Sequence, residues 1–144
     1  MGSPVAVALM TEARSFIEEY FRAWQGTDEQ RILSYYSDDV SLEIPGASMK
    51  GKAAVRDQFV RPFITGFPGN LHIAKNMIFG PNVVAVEWSF EAHHKGPFAG
   101  RPATGAQVQV PGCSIYEYDL VKRQITGGRI YFDSSALLKQ IGAV

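Results

Sequence analysis

The residues best suited to acid–base chemistry cluster near the end of the chain. Asp133 closes an apolar run, and a carboxylate facing a hydrophobic cavity has its charged form desolvated, which raises its proton affinity toward a useful range. Arg129 and Tyr131 alternate with it, so on a strand all three share one face and set a cation and a phenol beside the carboxylate. A guanidinium close to Asp133 would lower that acid's pKa instead. Asp133 also fits a capping role for the turn Ser134-Ser135-Ala136, and Arg129 fits an outward arginine on a twisted edge. His94 has the same parity as Trp88 and Phe90. An unbroken strand aims it at a pocket, where it would donate a hydrogen bond to a substrate carbonyl or position Asp133; the other reading is a loop histidine that anchors backbone. His93 has the opposite parity. His72 and Glu43 are further candidates, each also consistent with a surface or satisfied residue.

Other chemistries lack their signatures. Adjacent His93 and His94 point to opposite faces of a strand, and no spacing such as His-Glu-x-x-His occurs, so no metal is expected. GKAAV lacks the earlier glycine and the trailing Lys-Ser/Thr of a phosphate loop, and no serine or cysteine nucleophile motif is present. No cofactor is expected.

The elements that must hold these residues follow from periodicity. From Thr11, TEARSFIEEYFRAWQG sets Phe16, Ile17, Tyr20, Phe21 and Trp24 on one stripe of a helix that Gly26 stops. Asp28 should cap a second helix carrying Ile32, Leu33 and Tyr36 inward until Ser37-Asp38-Asp39 breaks it. Val40 to Ile44 reads as a strand ended by Pro45-Gly46. A loop then leads to Gly51 and a third helix, KAAVRDQFVRPFI, with Val55, Phe59 and Phe63 on one face and Pro62 as a kink or stop. Four strands follow, Leu71 to Phe79, Val83 to His93, Val108 to Tyr118 and Ile125 to Asp133, as an antiparallel meander. SSALLKQIG closes the chain as a short helix or turn.

In the second of these strands Val84, Val86, Trp88 and Phe90 alternate with Glu87, Ser89 and Glu91, so one face is buried and the other meets water or a partner. The aromatic helices must cover the buried face. The fold class expected is α+β: a curved antiparallel sheet wrapped around an apolar pocket with three N-terminal helices. Tyr20, Trp24, Tyr36, Phe59, Phe63, Trp88 and Phe90 are core first, and some of them should line the pocket.

The chain's 144 residues fit one domain over 11–144, since a core of this size already buries roughly 70% of the unfolded surface. Residues 1–10 read as a frayed, flexible start. An apolar fraction of 46% against 19% charged excludes disorder and membrane spans. Fourteen basic residues offset fourteen acidic ones without blocks of either sign, which argues against nucleic acid as a partner. The single cysteine, Cys113, fits a reducing cytoplasm. The wet sheet face suits a homodimer.

Helix, helix, strand, helix and a long-stranded meander resemble the nuclear transport factor 2-like cone. Within that superfamily the chain most resembles the SnoaL-like polyketide cyclases, through YYSDDVSLEIPG, GKAAVRDQF, the loop HKGPFAGRPATG from His94 to Gly105, and GGRIYFDSSALLKQIG. The loop is similar to that family's element at His94, Gly96, Phe98, Gly100, Pro102, Thr104 and Gly105, with Ala103 where a second proline is usual. The resemblance implies a hairpin crossover at the pocket rim, and it places Asp133 where those cyclases carry their general acid/base. It also implies a cofactor-independent cyclase or isomerase performing intramolecular aldol chemistry on a small hydrophobic polycarbonyl substrate. Such ring closure needs a base for a carbon-bound proton and an acid for the new alkoxide, and one tuned carboxylate serves both if flanking carbonyls acidify the substrate. A non-catalytic ligand-binding or dimeric interaction module of the same fold is the alternative. A ketosteroid-isomerase-like enzyme is a further one, although Ile44 occupies the place of that enzyme's catalytic aspartate. Epoxide hydrolysis needs an Asp-Arg-Asp set, of which only Arg129 and Asp133 are at hand.

Overall fold

Ser3 accepts a hydrogen bond from the Ala6 amide and Pro4 takes the first helical position, so helix α1 (Pro4–Ala23) begins seven residues before Thr11. The computed structural model describes residues 3–143. Of the segment read as a frayed start, Met1 and Gly2 lie outside the described residues, and Pro4 to Met10 are helical. A capping serine, a proline with its φ already set and the strong helix formers Ala, Leu and Met extend the helix outward from its packed turns. These added turns remain solvent-exposed, Val5 at 68% and Leu9 at 54%. The packed part buries Phe16, Ile17, Tyr20 and Phe21 as the spacing requires.

Asp28 accepts from the Arg31 amide at 3.1 Å and caps α2 (Glu29–Leu33). Strand β1 (Tyr36–Ile44) starts four residues earlier than expected: Ser37-Asp38-Asp39 is strand, with Asp38 and Asp39 exposed. The segment expected as a loop after Pro45-Gly46 pairs back on β1 as β2 (Ala47–Lys50), through a turn that Gly46 makes at φ 82°. The third helix runs as α3 (Lys52–Val55), a π-helical stretch Arg56–Val60 and α4 (Arg61–Gly66). Pro62 has no N–H to give and its ring crowds the preceding turn. The backbone accommodates it by widening, with the Arg61 amide donating to the Arg56 carbonyl, instead of ending.

Strands β3 (Leu71–Gly80), β4 (Val83–His93), β5 (Gln107–Asp119) and β6 (Gln124–Phe132) form the meander, and α5 (Ser134–Gln140) follows. The sheet order is β2-β1-β6-β5-β4-β3, and β1 pairs with β6 in parallel. The sheet is therefore mixed, where an antiparallel one was expected. The Ile125 amide donates to the Tyr35 carbonyl at 2.7 Å, so β1 and β6 enter the sheet from the same end. Bulges between Ala74 and Asn76, Glu117 and Tyr118, and Tyr36 and Ser41 increase local bend and twist, which curves the sheet around the helices.

Inside the curve, Tyr20 from α1, Tyr36 from β1 and Tyr116 from β5 pack edge to face, with centroids 5.5 and 5.6 Å from Tyr20. The Tyr20 and Tyr36 hydroxyls hydrogen-bond to each other. Burial pushes all three phenols well above their ordinary pKa.

The loop from β4 to β5 folds back on α4. Phe98 and Arg101 exchange backbone hydrogen bonds of 2.9 Å around Ala99 and Gly100, both at positive φ, the geometry of a two-residue hairpin turn. Lys95 and Gly96 both donate to the Gly66 carbonyl, and Phe98 packs on Phe63 and Phe67. A β-carbon on Gly96 would overlap the Thr65 carbonyl oxygen. We therefore expect Gly96→Ala to cost about 2 kcal/mol in chemical denaturation and to speed protease cleavage between residues 94 and 106; unchanged stability would contradict this docking.

Candidate active site

An apolar pocket lies between the sheet and the helices. Its walls are Trp24 from the end of α1, Phe59 and Phe63 from the helical layer, His72 from β3, Trp88 and Phe90 from β4, Val110 from β5, Ile130 and Phe132 from β6, and Leu137 from α5. Its free volume is about 30 Å³. That is space for one or two waters, so aromatic rings largely fill the chamber. A larger guest has to move them.

His72 stands out in this lining. Its imidazole stacks on Phe21 with centroids 4.8 Å apart and 23° between planes, and meets the Trp88 ring at 4.7 Å and 86°. Trp24 and Phe90 lie at 6.1 Å. Both ring nitrogens are buried and neither has a hydrogen-bond partner. Desolvation lowers its pKa from 6.5 to about 4, so the ring is neutral near pH 7. Trp24 Nε1 is the other unpartnered polar atom of the lining; it sits beside the Tyr20 hydroxyl without meeting hydrogen-bond geometry.

The pose of Trp88 is fixed from behind. Its Nε1 donates to Ser114 Oγ at 2.8 Å, and its six-membered ring lies against Gly112 on the neighbouring strand, where any β-carbon would overlap it. A glycine inside a strand marks such a close approach. Trp88 in turn walls in His72.

The carboxylate expected to do chemistry is elsewhere. Asp133 is exposed and accepts a hydrogen bond from the Ala136 amide at 3.1 Å, capping α5. Ile130 opposes Ser114 and Phe132 opposes Gly112, which puts those two β6 residues inside. Arg129, Tyr131 and Asp133 do share one face, but it is the outer one: Arg129 lies 3.4 Å from Glu117 and Tyr131 is 54% exposed. The alternation of Ile130 and Phe132 with polar neighbours was the signal for the correct parity.

His94 is fully buried as its parity suggested, yet it does not line the chamber. The strand ends at His93, and the His94 ring packs on Phe67 at 5.5 Å while its Nδ1 accepts from the Thr104 amide at 3.3 Å and lies 2.9 Å from Thr104 Oγ1. It anchors the loop. Tyr20 and Tyr36 belong to the phenol cluster behind the chamber and not to its lining. Of the proposed binding residues, Trp24, Phe59, Phe63, His72, Trp88 and Phe90 line it; Val110, Ile130, Phe132 and Leu137 were missed. Glu43 is exposed on β1. Among the described residues no three His, Cys, Asp or Glu side chains converge to hold a metal ion, and no helix is long and apolar enough to cross a membrane.

His72 is half-buried as a residue, but its shielded ring nitrogens make stability depend on pH. Unfolding returns His72 to a pKa near 6.5, so the unfolded chain binds more protons and stability falls as pH drops from about 6.5 to about 4. The loss attributable to this group is about 3 kcal/mol. Denaturant titrations of wild type and His72→Phe at pH 7 and pH 4 should differ by that amount at the lower pH relative to the higher; parallel pH profiles would place the imidazole in solvent.

The model of the SnoaL-like domain matches residues 17–126. Among curated proteins none matches. Solved structures do. A candidate SnoaL-like polyketide cyclase from Jannaschia sp. CCS1 is 20% identical with a TM-score of 0.79, over 93% of this chain and 94% of that one. TsrD from Streptomyces laurentii is 16% identical with a TM-score of 0.77, over 93% and 97%. A Catenulispora acidiphila protein of ketosteroid isomerase-like fold, in complex with trimethylamine, is 17% identical with a TM-score of 0.72, over 90% and 93%. These structures share the α+β cone, and by the match across most of its length this chain belongs to the SnoaL-like family.

Proposed function

We propose that the chamber takes a small, largely apolar carbonyl compound and that His72 moves its proton, in the cofactor-independent cyclase or isomerase manner that the family suggests. One observation carries this reading: a neutral imidazole with both nitrogens unpartnered, held among rings in the apolar chamber. A base with a pKa about 4 is comparable to the aspartate base of ketosteroid isomerase, which works only slightly higher. The bare nitrogen removes a proton from the carbon beside a carbonyl, leaving an enolate next to an imidazolium. Return of that proton to another carbon, or to the alkoxide after ring closure, completes isomerisation or aldol cyclisation and restores the neutral ring. The proton shuttle expected at Asp133 has no support in this geometry.

The non-catalytic reading keeps one argument of its own, because the lining holds no second acid or base beside His72. Exchange of the α-protons of 2-indanone in deuterated water, followed by NMR, separates the two. We expect acceleration by the wild type, its loss in His72→Phe and its retention in Asp133→Asn. Exchange lost in Asp133→Asn alone would overturn the assignment, and binding of the ketone without exchange would leave a binding module.

We also infer a homodimer through the outer sheet face, where Ile78 is 62% and Tyr131 54% exposed. Sedimentation equilibrium at micromolar concentration should return twice the chain mass; a monomer would refute it.

A further inference from the structure

No charged side chain lines the chamber. An ion entering it gives up hydration and meets no opposite charge, a loss that surrounding rings offset only in part and only for a cation. The groups facing His72 are Phe21 and Trp24 from α1 and Trp88 and Phe90 from β4, and none of these titrates. The imidazole therefore has no protein group with which to share a charge.

A neutral imidazole offers one N–H donor and one bare nitrogen acceptor, and here both are buried without a partner. The other unpartnered polar atom of the lining, Trp24 Nε1, can only donate and makes no hydrogen bond to the imidazole. A ketone satisfies only the donor and a hydrocarbon satisfies neither. A hydroxyl or enol can give a hydrogen bond as well as take one, so it suits whichever nitrogen it reaches.

Resting on the chamber reading above, we infer that the ligand is bound with no net charge and presents to His72 a hydroxyl, or the enol tautomer that the proton transfer above interconverts with the ketone, on an otherwise apolar body of about one ring. An acidic ligand is consequently bound together with one proton. For a carboxylic acid this means either the neutral acid against neutral imidazole or the carboxylate against imidazolium. Both complexes hold the same number of protons and both are net neutral.

Four probes sharing one fluorinated ring test this by fluorine NMR titration: fluorobenzene, para-fluorophenol, para-fluorobenzoate and the permanently cationic trimethyl(para-fluorophenyl)ammonium. The phenol should bind about fivefold tighter than fluorobenzene, the effect of one modest net hydrogen bond. In His72→Phe that preference should vanish while fluorobenzene still binds. The benzoate Kd should rise roughly tenfold per pH unit between pH 5.5 and 7, as uptake of one proton requires, and the ammonium probe should not compete. Equal binding of phenol and fluorobenzene, a preference that survives His72→Phe, pH-independent benzoate binding or tight binding of the cation would each overturn this inference while leaving the chamber as a ligand site. Failure of every probe to bind would remove the chamber reading and this inference with it.

Discussion

An imidazole enclosed by rings with neither nitrogen hydrogen-bonded is costly, on the order of 1–3 kcal/mol for each unsatisfied polar group. His72 is in that position, and much of the surrounding architecture serves to keep it there. Phe21 stacks on one side, the Trp88 ring closes another, and Trp88 is itself held by Ser114 and by the bare backbone of Gly112. A side chain at residue 112 would push the indole toward the imidazole. The same burial that makes the group unfavourable keeps it neutral at physiological pH, which is what gives it a use as a hydrogen-bonding group or a weak base.

The fold was legible in the sequence to the extent that one period dominated each segment. The stripe Phe16, Ile17, Tyr20, Phe21 and the alternation Val84, Val86, Trp88, Phe90 are unambiguous, and helix and strands follow. Short elements were not legible. Four-residue β2 has no period of its own and exists because β1 offers it an edge, and the parallel contact of β1 with β6 joins segments far apart in sequence, Ser41 with Gly127 for example, by register. The π-helical stretch could be anticipated only as trouble at Pro62, since whether a helix ends, kinks or widens there depends on what packs against it.

The site was partly legible. Six aromatic or histidine side chains of the lining were named from helix and strand faces alone. The error at Asp133 was one of parity: on a strand a single-residue shift exchanges inside and outside. A strand ending in a carboxylate next to Ser-Ser-Ala looks the same in sequence whether that carboxylate enters a cavity or caps a helix. The pairing of Phe132 with Gly112 decides in favour of the cap. His94 failed for a different reason, because the strand stops one residue before it and the ring turns toward Thr104 instead of continuing inward. His72 went under-rated because a lone histidine on a strand carries no motif; its significance comes entirely from its neighbours.

The chamber's small size sets the remaining constraint. Trp88, Phe90, Val110, Ile130 and Phe132 stand on strands bonded in a continuous sheet, with partners on both sides of β4, β5 and β6, so displacing any of them strains several ladders at once. The facing wall differs. Phe59 sits in the π-helical stretch, which interrupts the α-helical ladder, and Phe63 follows on α4 directly after Pro62. Behind Phe63 the support comes from Phe98 on a loop held to α4 by backbone bonds to the Gly66 carbonyl. A guest of one ring therefore meets its stiffest resistance at Trp88 and Phe90, while His72, on the edge strand β3, is held by pairing with β4 alone and by the rings around it. A stiff apolar wall at Trp88 and Phe90 beside the one imidazole of the lining lets a small chamber orient an apolar body by its hydrogen bond to His72.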